Sequence, residues 1–146
     1  MKIKPLTCLA FLLVAIAVSS LPGCGTGPTV SFKNGAEAIT LQVEVADSPQ
    51  ERDLGLMYRK SLPPDSGMLF DYGHEVETSF WMKDTSIPLS VAFISSDGKV
   101  LAVKDMVPYD LTPVKPPGAY RYAVEANRGW FGEHGIRPGD MAKINL

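Results

Sequence analysis

Cysteine is scarce in this sequence. Of its 146 residues only Cys8 and Cys24 are cysteines, and both lie near the N-terminus. The rest of the chain therefore offers no disulfide, no thiol nucleophile and no thiolate metal ligand. A chain of this length can still fold as one domain, because it is long enough to bury a hydrophobic core without covalent crosslinks.

Histidine is equally rare, with His74 and His134 as the only two. Metal sites commonly combine two or three histidines with a carboxylate. A strand through the HEVE segment would point His74 away from Glu75 and Glu77, and His134 falls at the end of a predicted helical turn, where a cation simply relieves the helix dipole. The sequence therefore predicts neither a metal site nor a cofactor.

An excess of positive charge is also missing, since the formal net charge is −2. This balance argues against a nucleic-acid partner and against a polybasic patch for lipid headgroups. The candidate hydroxyl nucleophiles of the central motif, Ser79, Thr85, Ser86 and Ser90, also lack the usual surroundings, because neither a GxSxG elbow nor an SxxK pair surrounds any of them. A serine hydrolase is therefore unsupported.

The N-terminus has the features of an export signal. Lys2 and Lys4 precede an apolar stretch from Leu6 to Val18, which is too short to favour a permanent membrane span of roughly 20 residues. We interpret residues 1–23 as a signal peptide that is removed. The remaining alternative, a retained transmembrane anchor, is the weaker reading.

The LPGC segment that ends at Cys24 resembles the bacterial lipoprotein box. In such a box the cysteine is lipidated and becomes the first residue of the mature protein, and each buried methylene contributes about 0.8 kcal/mol to anchoring. We therefore predict an exported protein that is attached to a bacterial membrane through lipid on Cys24. Residues 24–38 would form the lipidated cysteine and a short tether. The alternative is an ordinary signal peptide with an incidental cysteine.

Residues 39–146 show the alternating pattern of a β-rich domain. Apolar and polar residues alternate in the segments that begin at Ile39, Val76 and Ile87, and SSDGK suits a hairpin turn. Ser48, Pro49 and Glu51 predict a short capped helix over about residues 49–57. The proline-rich segment 107–118 predicts a loop. We expect a single mainly β domain, barrel-like or sandwiched from antiparallel strands, with one or two short helices.

Several motifs in this domain resemble a widespread family of uncharacterised conserved proteins, the domain of unknown function 192. They are ERDLGLMYR, GMLF, FWMKDTSIPLS, the DG hairpin and VEANRGWFGEHGIRPGD, in that order over residues 39–146. The family usually has Asn at the position of Asp84 and often Asp at that of Ser90. The resemblance implies a small, mainly β domain that is often secreted, and it implies no established activity.

Two groups of polar residues are candidates for a site. Asp84 and Glu125 are the carboxylates that we would first test as an acid and base pair acting on a glycan, although ordinary salt-bridge roles are the more common outcome. Arg52 and Arg59 lie seven residues apart and would share a helix face, where an arginine fork could bind an anion. We favour instead a structural reading, in which both arginines pair with acidic neighbours.

The two tryptophans complete the set of candidates. Trp81 alternates with core positions, so it is either buried on a second face, which is the commoner outcome, or exposed as a binding platform. Lys83, Asp84 and Thr85 follow it at the bend after the predicted strand, and Trp130 occupies a predicted turn. We therefore predict a domain that binds a small ligand, glycan or envelope protein without catalysis. The alternative is an envelope hydrolase that acts on a glycan or related polymer.

Overall fold

The computed structural model describes residues 27–146. The predicted signal peptide and the predicted lipidation site at Cys24 lie outside the described residues. Within residues 27–146, the elements follow the order β1 (Thr29–Asn34), β2 (Glu37–Ala46), α1 (Pro49–Leu54), β3 (Ser66–Val76), β4 (Leu89–Ile94), β5 (Val100–Met106), β6 (Tyr120–Asn127), α2 (Trp130–Glu133) and β7 (Met141–Asn145).

The strands form one sheet in the order β5-β4-β6-β3-β2-β1-β7. All neighbours pair antiparallel except β2 and β3, which are parallel. The sheet curls, and its two edge strands meet at one end: the N–H of Val100 donates to the carbonyl of Asp140 at 2.9 Å, and the N–H of Ala142 donates to that of Gly98 at 2.7 Å. The prediction of a mainly β, barrel-like domain with short helices is confirmed.

The predicted tether is wrong in part, because the domain begins earlier than residue 39. Strand β1 pairs with β2 on one side and with β7 on the other. Val30 and Phe32 are completely buried, so this segment is held by hydrophobic burial as well as by two hydrogen-bonded neighbours. The sequence did not predict this strand, because the alternating TVSFK run is short and lies beside Gly and Pro, which are typical of loops.

Both faces of the sheet are covered, each by a different kind of structure. One face, here the helix face, packs against α2 and the segment after it. Its core consists of Val30, Phe32, Leu41, Val43, Leu69, Ala92, Ile94, Val100, Val124, Ala126, Trp130, Phe131, Ile136 and Ala142. The opposite face, here the cleft face, is covered by irregular segments. Its core consists of Ala46, Leu56, Leu62, Met68, Phe70, Phe80, Met82, Ile87, Leu89, Val91, Phe93, Met106, Tyr120 and Ala123.

The β4–β5 hairpin forms where the SSDGK segment predicts it. Gly98 at its turn has a φ of +90°, and a Cβ there would collide with the carbonyl oxygen of Ala142, so only glycine suits this close approach. The segment between β5 and β6 forms no strand, as its prolines predict. It contributes one isolated bridge, between Phe80 and Val114.

The predicted strand from Val76 to Met82 is wrong after Val76. Strand β3 ends there, and residues 77–88 form a connection that crosses the cleft face. Phe80 and Met82 are nevertheless buried while Trp81 and Lys83 are exposed. The period-2 pattern was therefore a correct reading of which side chains face the core, but the backbone lacks a continuous partner strand.

Helix α1 begins as its sequence predicts and ends earlier. Ser48 and Glu51 form a capping box, and Pro49 is the first helical residue. Gly55, with a φ of +48°, ends the helix after Leu54, so Arg59 is not on it. Within residues 27–146, no helix has the length and apolar character needed to cross a membrane.

Candidate ligand-binding cleft

A cleft opens on the cleft face between α1, the turn that follows it and the connection 77–88. Its inner part is a cavity of about 40 Å³, and its outer part is a groove of about 630 Å³. The two parts share the residues Arg52, Asp53, Met57, Phe80 and Trp81. They therefore form one continuous feature, which narrows inward.

Glu125 lies in the inner cavity. It comes from β6 in the middle of the sheet, where its neighbours are Met68 on β3 and Val91 on β4. Its side chain is only 5% exposed. Burial raises the pKa of Glu125 to about 8, with no charge or hydrogen bond contributing to the shift. A carboxyl in this setting keeps its proton at neutral pH.

The carboxyl of Glu125 has no hydrogen-bond or ion-pair partner among the described residues. No fully enclosed polar side-chain atom in residues 27–146 lacks a partner. The oxygens of Glu125 must therefore open onto the inner cavity rather than being sealed in the core. An unpartnered polar group at such depth is uncommon in folded proteins and points to a function.

Trp81 forms a wall of both parts of the cleft and is 49% exposed. Of the two outcomes that the sequence left open for this ring, burial on a second face does not occur, and the ring is exposed. Its role in binding stays a prediction. The ammonium nitrogen of Lys83 lies 5.5 Å from the centre of the Trp81 ring. Lys83 and Trp81 therefore line the outer groove together, in a cation–π contact.

Arg52 also lines both parts of the cleft. Its Nη1 donates to the carbonyl oxygen of Asp71 at 2.9 Å and also to that of Asp47. The guanidinium lies 5.0 Å from the centre of the Tyr72 ring, which also borders the outer groove. The predicted pairing of Arg52 with an acidic side chain is wrong among the described residues, because its partners are backbone carbonyls and an aromatic ring.

Thr85 and Asp84 have different positions at the bend of the opening motif. Thr85 is buried beside the inner cavity, and its hydroxyl donates to the carbonyl of Lys83 at 2.9 Å. Asp84 has a φ of +50°, a left-handed conformation that Asp and Asn tolerate better than most residues. Its Oδ2 accepts from the hydroxyl of Tyr58 at 3.0 Å, and its carbonyl accepts from the N–H of Tyr58 at 2.8 Å. Asp84 therefore fixes the bend to the turn after α1.

Two further candidate residues lie away from the cleft. Arg59 pairs bidentately with Glu44, at 2.5 and 2.7 Å, so the structural reading of this arginine is confirmed. Trp130 is 3% exposed on the helix face, where its indole N–H donates to Asp65 at 3.0 Å. Trp130, a binding candidate from the sequence, therefore does not lie in the cleft with Trp81, because its ring packs in the core of the other face.

Asp84 and Glu125 do not meet as an acid and base pair in this cleft. Asp84 is committed to Tyr58 and is not among the residues that line the inner cavity. The carboxylate that does line it with Glu125 is Asp53, which the sequence analysis missed although it stands beside Arg52 in the ERDLGLMYR motif. Within residues 27–146, no group of three or more His, Cys, Asp or Glu side chains could hold a metal ion.

Comparisons with known proteins give a family and a fold. No curated protein matches the chain. A crystal structure from Sinorhizobium meliloti 1021, described as that of a candidate transcription regulator, is 34% identical, with a TM-score of 0.77 and coverage of 80% of this chain and 92% of that one. A protein of unknown function from Novosphingobium aromaticivorans is 32% identical, with a TM-score of 0.76 and coverage of 79% and 83%. The profile of the family described as "Uncharacterized ACR" matches residues 30–144, so the chain belongs to this family, the domain of unknown function 192.

Proposed function

We propose that this domain binds a small polar ligand in the cleft between α1 and the connection 77–88, without catalysing a reaction. The observation that carries the proposal is the shared cleft of an exposed Trp81 and a buried, unpartnered Glu125. Ligand sites typically combine an apolar or aromatic wall with a few converging polar groups. Here Trp81 supplies the wall, and Glu125, Arg52 and Lys83 supply the polar groups.

The chain provides its own control for testing this proposal, because it has only two tryptophans. In an NMR spectrum of the folded domain each indole N–H gives one signal. Compounds that enter the cleft should shift the Trp81 signal. They should leave the Trp130 signal unchanged, because that indole is buried and its N–H donates to Asp65. Trp81→Phe assigns the two signals. Compounds from a broad panel of polar metabolites that shift only Trp130, or shift neither signal, would contradict the proposal.

We also propose that the domain acts at the cell envelope, anchored through lipid on Cys24. The support is the LPGC segment and the apolar stretch that precedes it. Labelling cells with a radioactive fatty acid tests the proposal. The wild-type protein should incorporate label and the Cys24→Ala variant should not, so equal labelling of both would exclude lipidation at this cysteine.

A nucleic-acid partner is not part of this proposal, although one similar protein is described as a candidate transcription regulator. The net charge of −2 gives little of the basic surface that binds phosphates. A DNA-binding role here should appear as salt-dependent retention on a DNA column, and we expect none.

A further inference from the structure

We infer that the ligand of this cleft carries a protonated amine, which enters the inner cavity and pairs with the carboxylate of Glu125, and an anionic group, which meets Arg52 and Lys83 in the outer groove. This inference deepens the proposed function and rests on it. It assigns the ligand to one chemical class, that of small zwitterions.

Glu125 lacks a partner of opposite charge among the described residues. Buried carboxylates in proteins are normally paired with a cation or fully hydrogen-bonded. The neighbouring positions on β3 and β4 carry Met68 and Val91, which are apolar. A ligand with a cationic group would complete the pair. A neutral ligand would not require a carboxyl, because a buried amide or hydroxyl side chain could bind it equally well.

Other charged and titratable groups surround Glu125 in the cleft. Helix α1 contributes Arg52 and Asp53, β3 contributes Tyr72, and the connection 77–88 contributes Lys83 in the outer groove. None of these groups forms a hydrogen bond or ion pair with Glu125, and burial alone raises its pKa. The pKa of Tyr72 is raised chiefly by burial, and the nearby charge of Glu125 raises it further, so Tyr72 offers Glu125 no compensating positive charge. The inner end of the cleft therefore presents a neutral carboxyl that no described residue engages. Arg52 also lines this cavity, but its Nη1 is held by the backbone carbonyls of Asp47 and Asp71, so a cation for the ionised carboxylate would have to come from the ligand.

The size and lining of the inner cavity limit which group can enter it. A volume of about 40 Å³ admits a single small group rather than a ring. Phe70, Phe80 and Trp81 line this cavity together with Glu125. Aromatic rings around a carboxylate suit an ammonium group, because the ring faces attract a cation and the carboxylate accepts its hydrogen bonds.

The outer groove carries positive charge. Lys83 and Arg52 both border it, and neither forms an ion pair with any described residue. Asp53 also lies there, but it is exposed to solvent. The guanidinium and ammonium groups can therefore bind a carboxylate or phosphate. Trp81 lies between the two ends of the cleft and would pack against the carbon chain that joins them.

Matched pairs of probes test the inference. A series of linear ω-amino carboxylates of increasing length should shift the Trp81 indole signal, and the ω-hydroxy carboxylates of the same lengths should bind at least about tenfold more weakly. Glu125→Gln keeps the shape of the side chain and removes its charge, so it should remove this preference. Equal binding of amino and hydroxy compounds, or an unchanged preference in the Gln variant, would overturn the inference.

Proton release provides a second readout, which a merely structural role would not change. The free carboxyl is protonated at neutral pH and must lose that proton when the ammonium group enters. Calorimetry at pH 7 in buffers of different ionisation enthalpy should therefore detect close to one proton released per amine bound, and affinity should rise from pH 6 to 8. Binding without proton release, together with an unchanged affinity of Glu125→Gln for the amine, would contradict the pairing.

One variant at Lys83 and a control variant at Arg59 test whether the anionic group of the ligand binds in the outer groove. Lys83→Ala should weaken binding of the best amino carboxylate several-fold, whereas Arg59→Ala, which disrupts only the pair with Glu44, should not. If hydroxy compounds shift the Trp81 indole signal and no amine does, the inference is wrong and the proposed function is still supported. If no compound of either series or of the wider panel shifts Trp81, the proposed function is wrong as well.

Discussion

The two faces of the sheet differ in what covers them. On the helix face, α2 and the segment after it bring Trp130 and Phe131 against Phe32, with ring centres 6.0 and 5.7 Å apart. The indole N–H of this face has a partner in Asp65. On the cleft face, irregular segments cover the core and leave an opening with Glu125 at its inner end. In this domain α2 and the segment after it close one face, whereas α1 and the irregular segments on the other face leave an opening through which a polar group can be reached from outside.

The largest effect that would test this difference is the pH dependence of stability caused by Glu125. Its pKa is about 8 in the folded protein, against an ordinary value of 4.5 in the unfolded chain. Because the folded state holds a proton that the unfolded chain has released, the free energy of unfolding should fall as pH rises between these values. The loss could reach roughly 5 kcal/mol, since each pKa unit corresponds to about 1.4 kcal/mol.

Urea unfolding of the wild type and of Glu125→Gln at a series of pH values measures this loss. The Gln variant should lack the decline that Glu125 causes, and above pH 8 it should be the more stable protein. If both proteins show the same decline between pH 5 and 8, Glu125 is ionised in the folded state and the description of a buried neutral carboxyl is wrong.

The second-largest expected effect is the difference in stability cost between alanine variants of the two tryptophans, one on each face. Trp130→Ala removes a buried ring from the helix face and should lower the free energy of unfolding by about 4 kcal/mol. Trp81→Ala removes a half-exposed ring from the cleft and should cost less than about 1 kcal/mol, while abolishing ligand binding. Both are measured by denaturant unfolding of the purified domain. A larger loss for Trp81 than for Trp130 would reverse the assignment of the two rings.

The third effect is smaller and concerns the bend that borders the cleft. Asp84→Ala should cost about 1–2 kcal/mol, because alanine tolerates the left-handed backbone less well and loses the bond to the Tyr58 hydroxyl. Asp84→Asn keeps both features and should be as stable as the wild type. Thermal unfolding of the two variants checks this order. Equal losses in both would mean that the negative charge, not the conformation, matters at this position.

Much of the fold could be predicted from the sequence because the signals were local. The capping box of Ser48 and Glu51, the hairpin at Gly98 and the prolines after β5 each act through neighbouring backbone atoms. Strand β1 escaped prediction because its stability comes from two partners that are distant in the chain. The segment around Phe80 misled the prediction in the opposite way. Its side chains do alternate between buried and exposed, but its backbone has no partner strand, so it is not a strand.

The candidate site was predictable only in part, for a related reason. Trp81, Lys83, Arg52 and Thr85 stood out as residues and do lie in or beside the cleft. The position of Glu125 depends on the register of β6 between β3 and β4, which no local pattern specifies. Arg59 and Asp84 were equally conspicuous, yet Glu44 and Tyr58 engage them for structural purposes.

The smallest expected effect is that of the pair between Arg59 and Glu44. Both side chains are partly exposed, at 34% and 59%, so water and salt screen their attraction. Arg59→Ala should lower the free energy of unfolding by less than about 1 kcal/mol, and Glu44→Gln should do the same. The double variant should cost little more than either single one, as a double-mutant cycle in urea would measure. Loss of ligand binding in Arg59→Ala, with stability retained, would instead show that the cleft extends to this arginine and that its pairing with Glu44 is not its main role.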